Sequence, residues 1–595
     1  MSRRWTALAL LFSLAAASAA SDPAIAYPAI ASAPVVYAGR TMPFESAGRL
    51  ILHRFEGARP SRDEAVSWLL SVLLDPFTAA ERQTFLVEDP AVFDAVGMRG
   101  MRRGRVSYAD LYPHLASLDV LAGSLASAAR PLDASEQRIV RLAEQVRLFE
   151  GLASTLDVFR AEDGDSGYEQ LVRTGTARAS ETLEVPGMLR VVPVERDGET
   201  VWVSPAVAVA RLSNGGPPAP ETRTARVLRA WNDLTIHGAD AGGDGSQQIP
   251  YEPAATLVEG APFVVRAETL YWTLRPLFWT AVAAAVAIAA AAWSSGGATA
   301  GIRGSNRLAP IVARTAGALT LVAMTAHQVL RLMITGRPPV TDLPSSFLFV
   351  AWILITAGFA QSLRRGKGAS GATLAGGSAL VLVYLARLVS GAADPFAVVQ
   401  AILDTNFWLM THVLVITSGY AGVIAAGVLG HVSLVDRALG RVGRGSDARG
   451  ERAIVPVAIA GLALTTLGTV LGGIWADQAW GRFWGWDPKE NGALLIILWQ
   501  AAALHARRTR LLGPPGFDAA MVMGVAVVIF SWLGVNLMGV GLHSYGFREG
   551  SLAVVVAVIA LETAFALTGL VLARRRWTPT GDPGYTEPGS DRWKR

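Results

Sequence analysis

The sequence predicts an all-α polytopic membrane protein, with about nine transmembrane helices, preceded by a soluble, mainly α-helical domain with some β. Three observations carry that expectation. Of 595 residues 51% are hydrophobic and only 17% charged, below the roughly 25% of an ordinary soluble chain. From residue 272 onward the chain becomes a series of apolar runs, each near the ~20 residues a spanning helix needs. The loops between those runs alternate between basic and non-basic.

The opening "MSRRWTALALLFSLAAASAASDPA" has Arg3 and Arg4, then an apolar stretch, then small residues at Ala17-Ser18-Ala19. That is the three-part form of a secretory signal peptide, expected over 1–20. The apolar stretch is short for a span, which favours cleavage over an uncleaved anchor. Residues 24–265 then read as an extracytoplasmic soluble domain. Capping-box spacings, Ser61…Glu64, Thr78…Glu81 and Asp133…Glu136, open segments with apolar residues at helical period, such as "AVSWLLSVLL" and "QRIVRLAEQVRLFEGLASTLDVF". Further on, "LRVVPVERDGETVWVSPAV" places Asp197-Gly198 between two β-rich runs, a hairpin signal. The Gly/Pro stretches "SNGGPPAPET" and "GADAGGDGSQQIPYE" read as loops or linkers. His53, His114 and His237 have no partners at ligand spacing, and no catalytic constellation stands out in this domain.

The membrane domain is expected over 272–575, with apolar runs at roughly 274–293, 309–333, 345–362, 371–390, 407–430, 453–474, 491–507, 518–540 and 551–573. "GIRGSNR", "LRRGKGAS", "VDRALGRVGRGSDARGER", "HARRTRLLG" and "ARRRW" are basic. "GAADPFAVVQAILDTN", "WADQAWGRFWGWDPKE" and "GLHSYGFREG" are not. The positive-inside rule puts the basic set and the tail 576–595 in the cytoplasm, and the other loops outside, on the side to which the N-terminal domain is exported. A bacterial inner membrane is the expected location.

Composition also excludes. The chain has no cysteine, hence no disulfide, thiolate metal site or thiol nucleophile. Its net charge of +5 gives no case for a nucleic-acid partner. Eight histidines remain, and those in the membrane half are few enough to weigh singly.

The loop "WADQAWGRFWGWDPKENG" carries four tryptophans, Trp475, Trp480, Trp484 and Trp486, in twelve positions. An interfacial belt accounts for one or two of these. His412, one and a half turns into the fifth run, and His543, at the end of the eighth, fall at similar depth on either side of this loop in sequence. Two imidazoles across an aromatic platform suit a macrocyclic metal, each Nε2 filling one axial position of a haem iron. The alternative, two hydrogen-bonded interfacial histidines, stays open. Haem propionates need cations, and Arg331, Arg387, Lys489 and Arg482 lie at the right level, though snorkelling explains each equally well. His505, at the other end of the seventh run, suits an inner ligand or an ordinary interfacial role, and His431 lies on that same side. His327 shares a helical face with Arg331. Glu562, mid-span in the ninth run, requires a partner that the sequence does not identify.

The run from Trp475 through Trp480-Gly481, Trp484 and Trp486-Asp487-Pro488-Lys489-Glu490 to His505 resembles the tryptophan-rich WWD signature of the cytochrome c assembly family. Within it, the run is most similar to the CcsA (ResC) branch, the haem-handling subunit of the system II cytochrome c synthase. His412 and His543 match that family's two external histidines and His505 its membrane histidine. "HQVLRLMITGRPPVTDLPSSFLF" is similar to an early family segment, but Asp342-Leu343-Pro344-Ser345-Ser346 replaces its Asn, Tyr and Glu. Phe483 replaces a common tyrosine, and Asn491-Gly492 a Thr-Trp pair.

The resemblance covers about 300–575. Beyond it, "PFESAGRLILHRFEG" resembles extensions found on longer members. It implies that His412 and His543 hold the iron of haem b, with Trp475, Trp480, Trp484, Trp486, Asp487, Lys489, Glu490, Arg331 and His505 as further haem-binding residues. No catalytic side chain is implied, only positioning. The implied activity is presentation of haem for thioether attachment to the Cys-x-x-Cys-His site of an apocytochrome c. The implied partners are a separate CcsB (ResB) subunit, the apocytochrome and a thioredoxin-like thiol reductant, within a lipid bilayer. A haem transporter of the CcmC or CcmF type is the alternative. A haem-free scaffold is a third reading, and it leaves Asp487-Pro488-Lys489-Glu490 unexplained.

Overall fold

The computed structural model describes residues 27–57, 59–98, 103–160, 186–215, 221–239, 251–299, 308–364, 368–390, 394–398, 406–440, 447–535 and 551–576. The expected signal peptide, His543 and the expected tail lie outside them. The chain divides into two units. One comprises residues up to Thr273 together with Ala392–Val398, and the other Leu274–Gly391 with Val399–Arg595.

The first unit is helical with three two-stranded antiparallel hairpins, β1 (Pro34–Tyr37) with β2 (Arg40–Pro43), β3 (Phe85–Val87) with β4 (Gly104–Val106), and β5 (Val192–Arg196) with β6 (Glu199–Val203). Asp197 and Gly198 form the last turn with φ of 53° and 81°, the left-handed pair that a two-residue hairpin demands. Helices α1 (Phe44–Glu56) and α2 (Arg62–Leu74) pack so closely that a Cβ on Gly48 would lie 2.8 Å from the Ala65 carbonyl oxygen. Ser61 and Glu64 form a full capping box on α2, as Asp133 and Glu136 do on α4 (Ala134–Ala153). The third spacing reads differently. Helix α3 (Pro76–Glu81) is capped by Asp75, whose side chain accepts from the Thr78 N–H, with Pro76 at the first position. Proline has no N–H to satisfy there, so the helix starts before Thr78. Trp68, Trp231, Phe44, Phe55 and Phe85 are fully buried in the shared core.

Residues 394–398 lie in sequence between two spans, yet belong to this unit. Arg40 holds them, its Nε 2.7 Å from Asp394 Oδ2 and its Nη1 2.5 Å from Glu268 Oε2 on α5 (Phe263–Leu274). The Arg40 guanidinium also lies over the Phe396 ring, 5.6 Å from its centroid. A guanidinium suits this position, because its planar fork pairs with two carboxylates while one face stays on an aromatic ring.

Among the described residues eight helices are long and apolar enough to cross a membrane, within Phe263–Ser294, Leu308–Thr335, Leu343–Ser362, Gly371–Ser390, Met410–Ala438, Ala453–Trp480, Pro514–Trp532 and Val555–Arg575. The protein is a multi-pass membrane protein. In the second unit these spans belong to α6 (Pro276–Thr299), α7 (Leu308–Thr335), α8 (Leu343–Ser362), α9 (Gly368–Ser390), α10 (Leu414–Ala438), α11 (Asp447–Trp480), α13 (Pro514–Trp532) and α14 (Ser551–Arg576). The expected run 491–507 also folds as a helix, α12 (Pro488–Arg508), but falls outside the eight. Lys489 and Glu490 in its first turn, and His505, Arg507 and Arg508 in its last, dilute its apolar character.

Helices α10 and α11 pack through small residues. A Cβ on Gly422 would lie 2.7 Å from the Gly461 Cα, and one on Gly468 2.7 Å from the Ile416 Cα. Lipid offers no hydrophobic drive between apolar helices, so such close backbone approach supplies the packing. Helix α13 is the most enclosed of the bundle, with Phe517, Met521, Val522 and Val528 fully buried.

Candidate functional site

The site is built around the start of α10. That helix is preceded by a π turn, Leu409–Val413, and His412 lies in it. Such turns re-aim side chains and recur at functional sites. The His412 Nδ1 is 2.8 Å from the carbonyl oxygen of Gly468 on α11. A carbonyl only accepts, so Nδ1 carries the proton, and in the neutral ring the lone pair is on Nε2. Gly472 makes room for the ring, since a Cβ there would lie 2.6 Å from the His412 Cε1. Trp475 stands beside it, centroids 5.8 Å apart and planes tilted by 60°. One turn before His412, the Trp408 indole donates to the Gln478 side chain on α11 at 2.7 Å, tying the π turn to its neighbour a second time.

His412 faces a cavity of about 250 Å³. Trp475, Trp480, Phe483, Trp484 and Trp532 supply its aromatic lining, while Tyr420, Asp342, Ser346, Lys489 and Glu490 bring polar groups to it. The lining is mainly apolar with a few convergent polar groups, the character of a small-molecule site.

The tryptophan loop owes its shape to the residues that follow it. Helix α11 ends at Trp480 and Gly481 continues with φ of 70°, the left-handed conformation that glycine accepts most readily. Trp486 has φ of 58°, an uncommon conformation for a large side chain. It is tolerated here because its carbonyl accepts from the Asn491 amide at 2.9 Å and the next residue starts a helix. Asp487 is the N-cap of α12, Pro488 takes the first position, and Glu490 completes the capping box. The Glu490 carboxylate also accepts from the Gly485 N–H at 2.7 Å and the Asp487 N–H at 3.1 Å, and lies 3.4 Å from Arg482. The acidic residues of Asp487-Pro488-Lys489-Glu490 are therefore the pins of the loop. Lys489 crosses to the Trp532 carbonyl oxygen, 2.5 Å from its Nζ.

The residues singled out in the sequence divide by position. His412, Trp475, Trp480, Trp484, Lys489 and Glu490 line the cavity. Asp487 is buried beneath the loop, and Trp486 is 69% exposed, edge-on to Trp484 with centroids 6.0 Å apart. Arg331 is buried one layer behind, donating to Thr341 Oγ1 at 2.6 Å and lying 3.6 Å from Asp342. Asp342, where the resembling segment departs from its pattern, caps α8 with Ser345. His327 is buried on the same helix as Arg331, and Arg387 is exposed at the end of α9. His505 is exposed in the last turn of α12, sixteen residues past Lys489, or about 24 Å along the helix. His431 pairs with Glu562, the partner the sequence left unnamed, with Nε2 3.0 Å from Oε2.

Sequence reasoning missed Trp532, whose indole donates to Ser346 at 3.1 Å, and the Gly468 carbonyl behind His412. The only available signal was a lone tryptophan in an apolar run and a glycine repeat on α11.

Comparison with known proteins covers this same region. The family model described as "Cytochrome C assembly protein" matches residues 340–543. The cytochrome c biogenesis protein CcsA of Synechococcus sp. (strain CC9311) is 31% identical over 285 residues, 40% of this chain and 90% of that protein. CcsA of Synechococcus sp. (strain WH7803) is 30% identical over 271 residues, 38% of this chain and 83% of that protein. CcsA of Chlamydomonas reinhardtii is 33% identical over 228 residues, 36% and 62% of the two chains. With 90% of one CcsA protein and 83% of another matched, this chain belongs to the CcsA family of cytochrome c biogenesis proteins.

Proposed function

We propose that, within cytochrome c biogenesis, this chain holds haem b as the substrate of covalent attachment, in the cavity beside His412. The observation that carries the reading is the His412 ring. Gly468 accepts from its Nδ1 and so fixes the tautomer, and the ring lines an aromatic-walled cavity. Ligating histidines are held in this way, with the second ring nitrogen donating to a carbonyl. His543 is proposed as the opposite axial ligand, and it lies outside the described residues. Lys489 and, one layer back, Arg331 supply cations for the propionates.

Attachment needs positioning more than acid–base catalysis. Each thiol of an apocytochrome Cys-x-x-Cys-His site adds across a haem vinyl group. Sulfur bonds one vinyl carbon, the thiol hydrogen goes to the other, and no electrons leave the pair of reactants. A chain without cysteine contributes no competing thiol. Its work is to orient the porphyrin and shield it from water. A CcsB-like subunit, a thioredoxin-like reductant that keeps the apocytochrome thiols free, and the apocytochrome itself are the proposed partners. The positive-inside pattern supports a bacterial inner membrane, with the tryptophan loop and the N-terminal unit on the outer side.

The test is the absorption spectrum of the full chain co-purified with its CcsB-like partner, before and after dithionite, for wild type, His412→Ala and His412→Ala/His543→Ala. A low-spin bis-imidazole spectrum weakened in the single variant and lost in the double supports the reading. Full haem retention in the double variant overturns it and moves the site toward His505.

A further inference from the structure

His431 and Glu562 take no part in the cavity, yet they meet inside the bundle. The His431 Nδ1 is 2.8 Å from the Gly427 carbonyl oxygen, one turn back on α10. A carbonyl cannot donate, so Nδ1 bears a proton. The Nε2 is 3.0 Å from Glu562 Oε2 on α14, and that oxygen is buried and has no hydrogen-bond partner of its own. The imidazole also packs over the Phe565 ring, centroids 4.4 Å apart, which keeps water from one face. If this axis held no further proton, a nitrogen lone pair would face a carboxylate oxygen at 3.0 Å in a largely apolar setting. That contact is repulsive. The contact therefore requires a second proton, carried either by Nε2, giving an imidazolium–carboxylate pair, or by the Glu562 carboxyl, which then donates to Nε2.

Among the described residues, neighbouring charges do not substitute for that proton. Helix α10 packs against α8, α11, α13 and α14. Helix α8 carries no charged side chain. On α13, Asp518 is engaged by Arg437 at 2.8 Å and by Ser433 at 2.5 Å. On α11 Asp477 lies next to Gln478, at the end that meets Trp408 and not His431, and Arg574 and Arg575 of α14 lie twelve or more residues past Glu562. Among the described residues no other ionisable side chain pairs with His431 or Glu562.

We propose that His431 and Glu562 form a proton-binding site within the membrane domain, holding one proton on the Nε2–Oε2 axis and joining α14 to α10 while it is held. The ligand is the proton itself. Since both ring nitrogens are engaged, His431 offers no lone pair to iron while the contact lasts, which separates this site from the one at His412.

The experiment is magnetic resonance on the full chain in lipid nanodiscs at pH 7, with 15N-labelled histidine and the infrared C=O stretch of protonated carboxyls. His431→Gln assigns the ring and Glu562→Gln assigns the acid. Glu562→Asp, which keeps the charge but shortens the reach, serves if either variant fails to accumulate. The expected result is a His431 ring with Nδ1–H together with one further proton. That proton appears either on Nε2 or as a carboxyl band that Glu562→Gln removes. An unprotonated Nε2 beside an ionised Glu562, or an Nδ1 without its proton, overturns the proposal.

Discussion

Helix α10 and its leading π turn carry two histidines, nineteen residues and about 28 Å apart, and the chain uses them in opposite ways. His412 donates from Nδ1 to a carbonyl of another helix, and its ring lines a cavity. His431 donates from Nδ1 to a carbonyl of its own helix, and its Nε2 meets a carboxylate. The first arrangement places the ring at the wall of a cavity. The second leaves Nε2 inside a closed pair. Residue type does not distinguish the two. What distinguishes them is the surroundings of the ring, a cavity wall for one and a carboxylate for the other.

The largest effect that breaks this comparison belongs to His412→Ala. Loss of a supporting partner to a metal-ligating histidine typically costs ~10–100-fold in affinity, and loss of the ligand itself exceeds that. Haem absorbance per purified chain is expected to fall by more than about tenfold. Glu562→Gln, acting at a distant site, leaves it within roughly twofold. If both variants lose haem equally, the two histidines do not have separate roles.

A smaller loss follows from moving the ring without removing it. A methyl group at position 472 would sit 2.6 Å from the His412 Cε1, so Gly472→Ala must turn the imidazole or push α10 away. About a tenfold weakening of haem retention is expected, with no further loss when Gly472→Ala is added to His412→Ala. Additive losses in that double variant would place the glycine's effect elsewhere in the bundle.

The tryptophan loop gives a third test. Asp487 is an N-cap, and replacing such a residue by alanine costs about 1 kcal/mol, whereas asparagine caps nearly as well. Asp487→Ala is therefore expected to lower the thermal midpoint and speed proteolysis at the loop, with Asp487→Asn close to wild type. Equal damage from both would mean that the carboxylate charge itself is used, as a ligand or a counter-ion.

How far the site was legible follows from the same residues. The tryptophans, His412 and Lys489 were visible because residue type and spacing alone set them apart. Asp487 and Glu490 were visible too, and the structure gives them a further use. An acid with Glu three residues on is a capping box, and the structure uses them for that. The π turn has no periodic signature, and a backbone carbonyl such as that of Gly468 has no signature at all. Pairings across long separations were hidden for a different reason. His431 with Glu562, and Arg40 with Asp394, join segments whose proximity is decided by helix packing and not by local pattern. The spans and the Asp197-Gly198 hairpin were readable because one local property, run length or left-handed turn preference, sufficed for each. Helix α12 was read correctly as a helix, while its charged ends separate it from the eight more apolar spans.

The smallest expected effect lies in the N-terminal unit, at the capping carboxylate of α4. The Glu136 carboxyl is drawn from its usual 4.5 down to about 2, by hydrogen bonds from Arg130 and from the Asp133 N–H. A depressed carboxyl contributes stability above its unfolded value and loses it as pH falls through the folded one. The contribution is therefore full above about pH 4.5 and fades toward pH 2. Because the group is at the surface, solvent screening keeps it small. Glu136→Gln should lower the first thermal transition of the full chain slightly at pH 7, and the gap to wild type should close as the pH is taken toward 2. A gap independent of pH would assign the loss to the capping geometry, not to the charge. It would also leave His431 and Glu562 as the place to look for proton-dependent packing in this chain.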